Sequence, residues 1–431
     1  MTQPRSPQAK PKRLSITPSI VSEGYDHVTC WTQGRAAALP GGGAVMTAQK
    51  LVLAGCDDYG CIHSRASRGS LAEWSDFVPQ AGLARRAGAS GIEIALCDGT
   101  PIWHTATGKV LATGHTAGYR VGQNCPESHL SIYRGEAVGG LVPSRTWYSV
   151  YDRASDTWAP SRQLLVPPEL GVFGAGCTQR VDLADGTLQL PAYSLPMKDH
   201  PAAAIVLRCA FDGETLSLIE SGPAIHLPPE LADSPARGFC EPSVARIGDH
   251  FVLTLREYDK GYVATSKDGL RFNKPVPWTW REDGAEIGSY NTQQHFATIG
   301  GRLYLVYTRR GANNDHVFRH RAPLFIAEVS LDGPSPALLR ESEQIAVPER
   351  GARLGNFGVT HISDAEAWVV ACEWMQSWKG GGEAGWRDCE AHGANNAIWL
   401  SRIELPADLK EGTLGDRARF APRGNRRHQE H

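Results

Sequence analysis

The densest gathering of chemically able side chains lies in two neighbouring stretches. These are Tyr290-Asn291-Thr292-Gln293-Gln294-His295-Phe296 and Tyr307-Thr308-Arg309-Arg310-Gly311-Ala312-Asn313-Asn314-Asp315-His316-Val317-Phe318-Arg319-His320-Arg321. Imidazoles, guanidiniums, amides and phenols carried on loops of a rigid scaffold are the materials of a binding or proton-transfer site. His316 and His320 read as bases, and Arg309, Gln294 and His295 as substrate contacts. Metal ligation is the weaker use of the two histidines: residues four apart share a face only on a helix, and Gly311, Asn313 and Asn314 argue against one. A smaller cluster is Cys97-Asp98-Gly99-Thr100-Pro101-Ile102-Trp103-His104, in which Asp98 and His104 flank a turn and His104 reads as a packed histidine. The ten cysteines contain no C-x-x-C pair. Zinc spacing is therefore absent, and they read as reduced, mostly buried thiols.

The elements that must position these groups are short. The 46 glycines and 28 prolines of the 431 residues break the chain into strand-length apolar runs. Examples are Ala44 to Thr47, Lys109 to Gly114, Trp147 to Tyr151, Ala203 to Cys209, His250 to Leu255, Leu303 to Tyr307, Leu324 to Val329, Ala367 to Cys372 and Ala397 to Ile403. Each is bounded by turn formers, and sustained helical periodicity is hard to find. Asp185-Gly186, Asp212-Gly213 and Asp268-Gly269 fit tight hairpin turns, because that dipeptide tolerates positive φ. Many short strands with no linker predict a repetitive all-β architecture. The clearest repeat copy runs from Tyr262 to Phe272, with poorer copies at Ile62 to Trp74 and Tyr148 to Trp158 and a truncated one at Phe325 to Gly333.

The charge balance excludes some functions. With 44 Lys+Arg against 46 Asp+Glu, the net charge of −2 argues against a nucleic-acid partner. The basic tips, Lys10 to Arg13 and Arg417 to His431, read as solvated tails. No apolar run reaches membrane-helix length, and Met1 to Leu14 lacks the apolar core of a secretory signal, so the expectation is a cytoplasmic protein without a membrane partner.

Four segments resemble the sialidase superfamily. Ser266-Lys267-Asp268-Gly269-Leu270-Arg271-Phe272 is similar to the Asp-box hairpin of sialidase-type propellers, without the usual spacer between Asp and Gly and with Phe272 in place of Trp. Gly34-Arg35-Ala36-Ala37-Ala38-Leu39 is similar to the family's opening Arg strand. Glu241-Pro242-Ser243-Val244 followed by Phe251 to Arg256 resembles its Glu…strand…Arg unit, and Arg321-Ala322-Pro323-Leu324 its third Arg strand. The resemblance spans roughly Thr32 to Glu404 and implies a six-bladed β-propeller, with residues 1–28 as tail and lead-in, 29–405 as the propeller and 406–431 as a basic tail. It also implies a clamp of Arg35, Arg256 and Arg321 on a substrate carboxylate, Glu241 as base or activator, and an acid/base at Asp57 or Asp58, of which Asp58 is favoured. Planar guanidinium forks suit a carboxylate, and three of them in one funnel repel each other unless an anion sits among them.

One departure matters. The resemblance implies a Tyr nucleophile on the strand entering the final blade, yet Arg353-Leu354-Gly355-Asn356-Phe357-Gly358-Val359 offers none; Asn356 is expected to touch substrate instead. The implied function is an exo-acting glycoside hydrolase on a terminal acidic sugar of an oligosaccharide or glycoconjugate, needing no metal or organic cofactor. The alternatives are a lyase on uronic-acid glycans using a His or Tyr307 base, and a glycan-binding propeller without catalysis. Replacing Arg256 is expected to weaken substrate binding and to spare folding. Trp374, Trp378 and Trp386 are expected to border the funnel, and Trp74, Trp158 and Trp399 to pack between blades.

Overall fold

The computed structural model describes residues 13–53, 57–69, 73–88, 91–121, 137–195, 201–231 and 238–406. All nine apolar runs are strands, mostly a few residues longer than their apolar centres: Ala44–Leu53, Lys109–Arg120, Val142–Asp152, Ala204–Phe211, His250–Arg256, Arg302–Tyr307, Leu324–Ser330, Glu366–Cys372 and Ile398–Glu404. The three Asp-Gly pairs sit in turns that follow strands, with Gly186, Gly213 and Gly269 all at positive φ.

The strands form six antiparallel sheets, each built on a consecutive meander, and together they make a six-bladed β-propeller. Their innermost strands are Thr29–Ala38, Ile92–His104, the short Val181–Asp182, Cys240–Ile247, His295–Ile299 and Gly358–Ser363. The ring closes through Ser15–Ser22, which pairs with Ile398–Glu404 at the outer edge of blade 6. The sequence reading placed this segment in the lead-in; it is a blade strand because an edge strand leaves its amides unpaired and the chain start supplies them with partners. The residues after 406 lie outside the described part of the chain.

Two features of this scaffold determine where a site can form. First, the apolar cores lie between blades. One unites Leu111, Leu188 and Leu207, a second Val252, Val263, Phe296 and Leu305, and a third Val306, Phe357 and Val369. Trp158 and Trp399 are in such cores, and Trp74 packs against one. Second, the two ends of the propeller differ. First-to-second strand links are tight (39–43, 105–108, 183–186, 248–249, 300–301 and 364–365). Second-to-third strand links are mostly longer (54–56, 121–141, 194–203, 257–260, 308–323 and 373–397). The register Thr29↔Val52↔Asp58 shows that the second kind lies at the end where the innermost strand of blade 1 starts. Tight turns there would leave a bare rim, whereas longer links on a rigid scaffold supply functional side chains.

Candidate axial site

Within or just ahead of each innermost strand, one residue that reaches the axis breaks the extended path and sits in the left-handed region. The six are Gln33, Asp98, Cys177, Glu241, Asn291 and Asn356, with φ between 41° and 58°. In blades 1, 2 and 4 the break is a register shift, at Thr32/Arg35, Cys97/Thr100 and Cys240/Ser243. Such bulges re-aim a side chain out of the pleat. A left-handed non-glycine residue costs on the order of 1 kcal/mol or more, and such residues concentrate where function requires them.

Contacts between blades that are not neighbours place these breaks on the propeller axis. Asn356 of blade 6 donates through Nδ2 to Asp98 Oδ1 of blade 2 at 3.2 Å. Arg35 of blade 1 donates through Nη2 to the Sγ of Cys177, ahead of blade 3, at 3.2 Å. Gln179 of blade 3 exchanges two 2.8 Å hydrogen bonds with the backbone of Phe296 in blade 5. Neighbouring blades add the Asp98 amide to Gln33 Oε1 at 2.7 Å and the Cys177 amide to the Asp98 carbonyl at 3.3 Å. His295 helps to plug the axis. Its Nε2 donates to the Phe357 carbonyl at 3.1 Å, which leaves Nδ1 to accept from the Ser243 hydroxyl at 2.8 Å. Burial, and then the Arg35 charge, push the His295 pKa down to about 3, so the plug is neutral.

The arginines converge on this axis. Arg256, on the second strand of blade 4, pairs with Glu241 and donates to Asn291 Oδ1 at 2.5 Å. Arg321 donates through Nε to the Asn291 carbonyl at 2.9 Å. The chain Arg353 to Gly358 runs between two guanidiniums: a Cβ on Gly355 would lie 2.8 Å from Arg321 Nη1, and one on Gly358 would lie 2.6 Å from Arg35 Cγ. A fourth guanidinium, Arg145, belongs to the third strand of blade 2 and donates to the Thr116 carbonyl at 3.3 Å. Burial opposes the charge of Arg256, but Glu241 outweighs it and holds the group above its ordinary range. Arg321 is pushed well below its range by burial and then by Arg256 and Arg353, with Glu241 opposing.

The two carboxylates of this group, Asp98 and Glu241, are 3% and 8% exposed. Four buried guanidiniums against two carboxylates, with Arg353 buried close to Arg321 and His295 neutral, leave positive charge in excess. Gln33 Nε2, Arg35 Nε, Arg145 Nε and Nη1, and Asn291 Nδ2 are buried without a partner. All of these are donors. Buried unmatched charge and orphaned donors are costly, and an anion rich in acceptors relieves both.

The axis gathers six of the candidate site residues: Arg35, Glu241, Arg256, His295, Arg321 and Asn356. The other five candidates, Asp58, Arg309, Gln294, His316 and His320, lie elsewhere, as do Tyr307 and His104. Arg309 forks onto Glu343 with two 2.8 Å bonds, and the Tyr307 hydroxyl donates to the same carboxylate at 2.6 Å, so both brace the outer side of blade 5. Gln294 accepts from Thr254 Oγ1 at 2.5 Å between blades 4 and 5. His316 meets Glu349 at 2.9 Å and stacks on His392 at the surface. His320 lies at the rim, edge-on to Tyr290 and Trp378. Asp58 is paired with Arg85, which lies over Tyr119; the side chain of Asp57 lies outside the described residues. His104 is packed, as read, against Thr107 and the Gly186 carbonyl.

Sequence reasoning missed Asp98 as an axial group, and also Cys177, Arg145, Tyr193 and His115. Tyr193 is a buried phenol anchored by its backbone to Gly174; burial, then Glu241 and Asp98, push its pKa well above the ordinary range. A visible signal existed only at Gly174-Ala175-Gly176. A Cβ on Gly174 would meet His115 and Arg145 at 2.8 and 3.2 Å, and one on Gly176 would lie 1.8 Å from His115 Nδ1.

The fold and axis define a six-bladed propeller with buried guanidiniums gathered at its axis. No family model matches the chain, and no curated protein matches it in sequence. Solved structures do match in fold. A protein of unknown function from Dyadobacter fermentans aligns with a TM-score of 0.58 at 12% identity, over 90% of this chain and 99% of its own. A Hadza microbial sialidase aligns at 0.55 and 13% identity, over 88% of this chain and 66% of its own. Trypanosoma rangeli sialidase in complex with sialic acid aligns at 0.53 and 12% identity, over 94% and 62%. The chain thus spans about two thirds of these sialidases, and the likeness is one of fold. Among the described residues, no group of three or more His, Cys, Asp or Glu side chains is placed to hold a metal ion, and no helix is long and apolar enough to cross a membrane.

Proposed function

We propose that this propeller binds the terminal acidic sugar of an oligosaccharide or glycoconjugate at its axis and hydrolyses the glycosidic bond that holds it. The observation that carries this reading is the axial excess of guanidinium charge together with orphaned donors. Arg35, Arg256 and Arg321, joined by Arg145, form the anion clamp. Glu241, paired with Arg256, faces the positive charge that develops at the anomeric carbon during bond cleavage. The hairpin turn at Ser266–Phe272 is read as a divergent Asp-box with a structural role: Asp268 Oδ1 accepts the Leu270 and Arg271 amides at 2.9 and 2.8 Å.

The test is a screen of aryl glycosides of acidic sugars with product analysis, alongside calorimetric binding of the free acids. Release of an acidic monosaccharide, abolished in E241Q, supports the reading; absence of both binding and release refutes it. A second reading, β-elimination on a uronic-acid glycan, is favoured by one observation: Asn356-Phe357 stands where a Tyr nucleophile is implied. An unsaturated uronate product, seen by its ultraviolet absorbance, decides for that reading.

A further inference from the structure

Beside the clamp lies a carboxylate–imidazole pair that the reading above does not use. Asp98 Oδ2 is 3.4 Å from His115 Nδ1. That is an electrostatic contact and too long for a good hydrogen bond, and Nδ1 has no hydrogen-bond partner among the described residues. Asp98 is fixed from four sides: its amide by Gln33, its Oδ1 by Asn356, its carbonyl by the Cys177 amide, and its left-handed φ of 55° by the bulge of the innermost strand. His115 is fixed by the passing segment Gly174-Ala175-Gly176, whose two glycines have no room for a Cβ against the ring. The groups that face the imidazole are Asp98 on its own blade's inner strand, Arg145 on the third strand, Arg35 from blade 1, and Tyr193 from blade 3, whose ring centroid is 6.3 Å away. Cys177 lies next to Asp98. Burial, then Arg145 and Arg35, hold His115 well below its ordinary pKa, so the ring is neutral.

We propose that His115 is the proton acceptor of the axial site, with Asp98 as the residue that orients it. An Nδ1–H directed at Asp98 leaves the Nε2 lone pair as the acceptor, the logic of any carboxylate-oriented imidazole base. The proton of an attacking water passes to Nε2 while the water oxygen bonds to the anomeric carbon. The bond to the aglycone breaks with its electron pair on the departing oxygen, which takes a proton from bulk water. The guanidiniums hold the acidic sugar, and its bound carboxylate offsets their charge at the imidazole, which raises the proton affinity that Arg145 and Arg35 otherwise depress.

This inference rests on the hydrolase reading, and the experiment separates the two. Nitrogen-15 NMR of the wild-type protein reports the His115 tautomer without any substrate. The expected result is a neutral ring protonated on Nδ1 at pH 7, with that preference lost in D98N. Turnover of 4-methylumbelliferyl N-acetylneuraminide and glucuronide is then compared in wild type, H115Q and D98N, with calorimetric binding of the free acids. Loss of about 10²–10⁴-fold in kcat with binding kept within a few-fold supports the assignment. A charged ring, an Nε2–H tautomer, or H115Q turnover within a few-fold of wild type overturns it. If neither free acid binds and neither glycoside is cleaved, the hydrolase reading fails, and the tautomer measurement still decides the Asp98–His115 pair.

Discussion

Arg256→Ala is the most informative single change, because the structure assigns Arg256 two roles. From the sequence it reads as a substrate contact whose loss spares folding. In the fold it is 9% exposed and paired with Glu241, itself 8% exposed, with Asn291 as a third partner. Removing the guanidinium leaves a buried carboxylate without its counter-charge, a change that costs about 3–5 kcal/mol. A domain of this size has an unfolding entropy of about 0.8 kcal/mol per degree, so the melting temperature is expected to fall by about 4–6 °C. The assay is thermal unfolding at pH 7 for wild type, R256A, E241Q and R256A/E241Q. The double variant, which leaves no unpaired charge, is expected to be less destabilised than the sum of the singles by about 2 kcal/mol or more. Calorimetry then reads the second role: R256A is expected to bind an acidic sugar at least tenfold more weakly. An R256A protein as stable as wild type, or strictly additive singles, refutes the account of the pair. Undiminished binding refutes the clamp.

The remaining expectations are direct. Because His295 has a folded pKa of about 3 against an ordinary 6.5, the unfolded chain gains a proton that the fold refuses; its contribution is intact above pH 6.5 and is lost progressively down to pH 3, by about 2 kcal/mol at pH 5, so H295Q is expected to flatten stability measured across that window. Gly176→Ala, with a Cβ 1.8 Å from His115 Nδ1, is expected to displace the imidazole and destabilise the fold by about 1–3 kcal/mol; an unperturbed His115 signal in NMR contradicts the packing described. Arg309→Ala is expected to leave acidic-sugar binding unchanged within twofold while lowering stability, because its only carboxylate partner among the described residues is Glu343; impaired binding with normal stability overturns that placement. Deletion of residues 1–22 removes the strand that closes blade 6 and is expected to lower the melting temperature by several degrees, whereas an unchanged transition contradicts its structural role.

The strands and their turns were legible in the sequence because both are local. Short apolar runs such as His250–Arg256, and Asp-Gly pairs such as Asp212-Gly213, are decided by sterics and burial within a few residues. The arginines were legible through resemblance, since Arg35, Arg256 and Arg321 keep motif-like settings on their strands. The loop 308–321 misled for a related reason. Composition says that side chains are polar, not where they point, and Arg309, His316 and Tyr307 spend their polarity on Glu343 and Glu349.

The chain by itself determined an all-β propeller and the types of residue available to a site. Only the tertiary structure decided which of them meet. Axial neighbours such as Asn356 and Asp98 are 258 positions apart, and they touch because six blades turn the start of every innermost strand toward one line. No local pattern marks Asp98, Cys177 or His115 as members of that group. Their position comes from closure of the ring, and burial there, beside four guanidiniums, gives them charges and proton affinities that the same residues would lack on a surface.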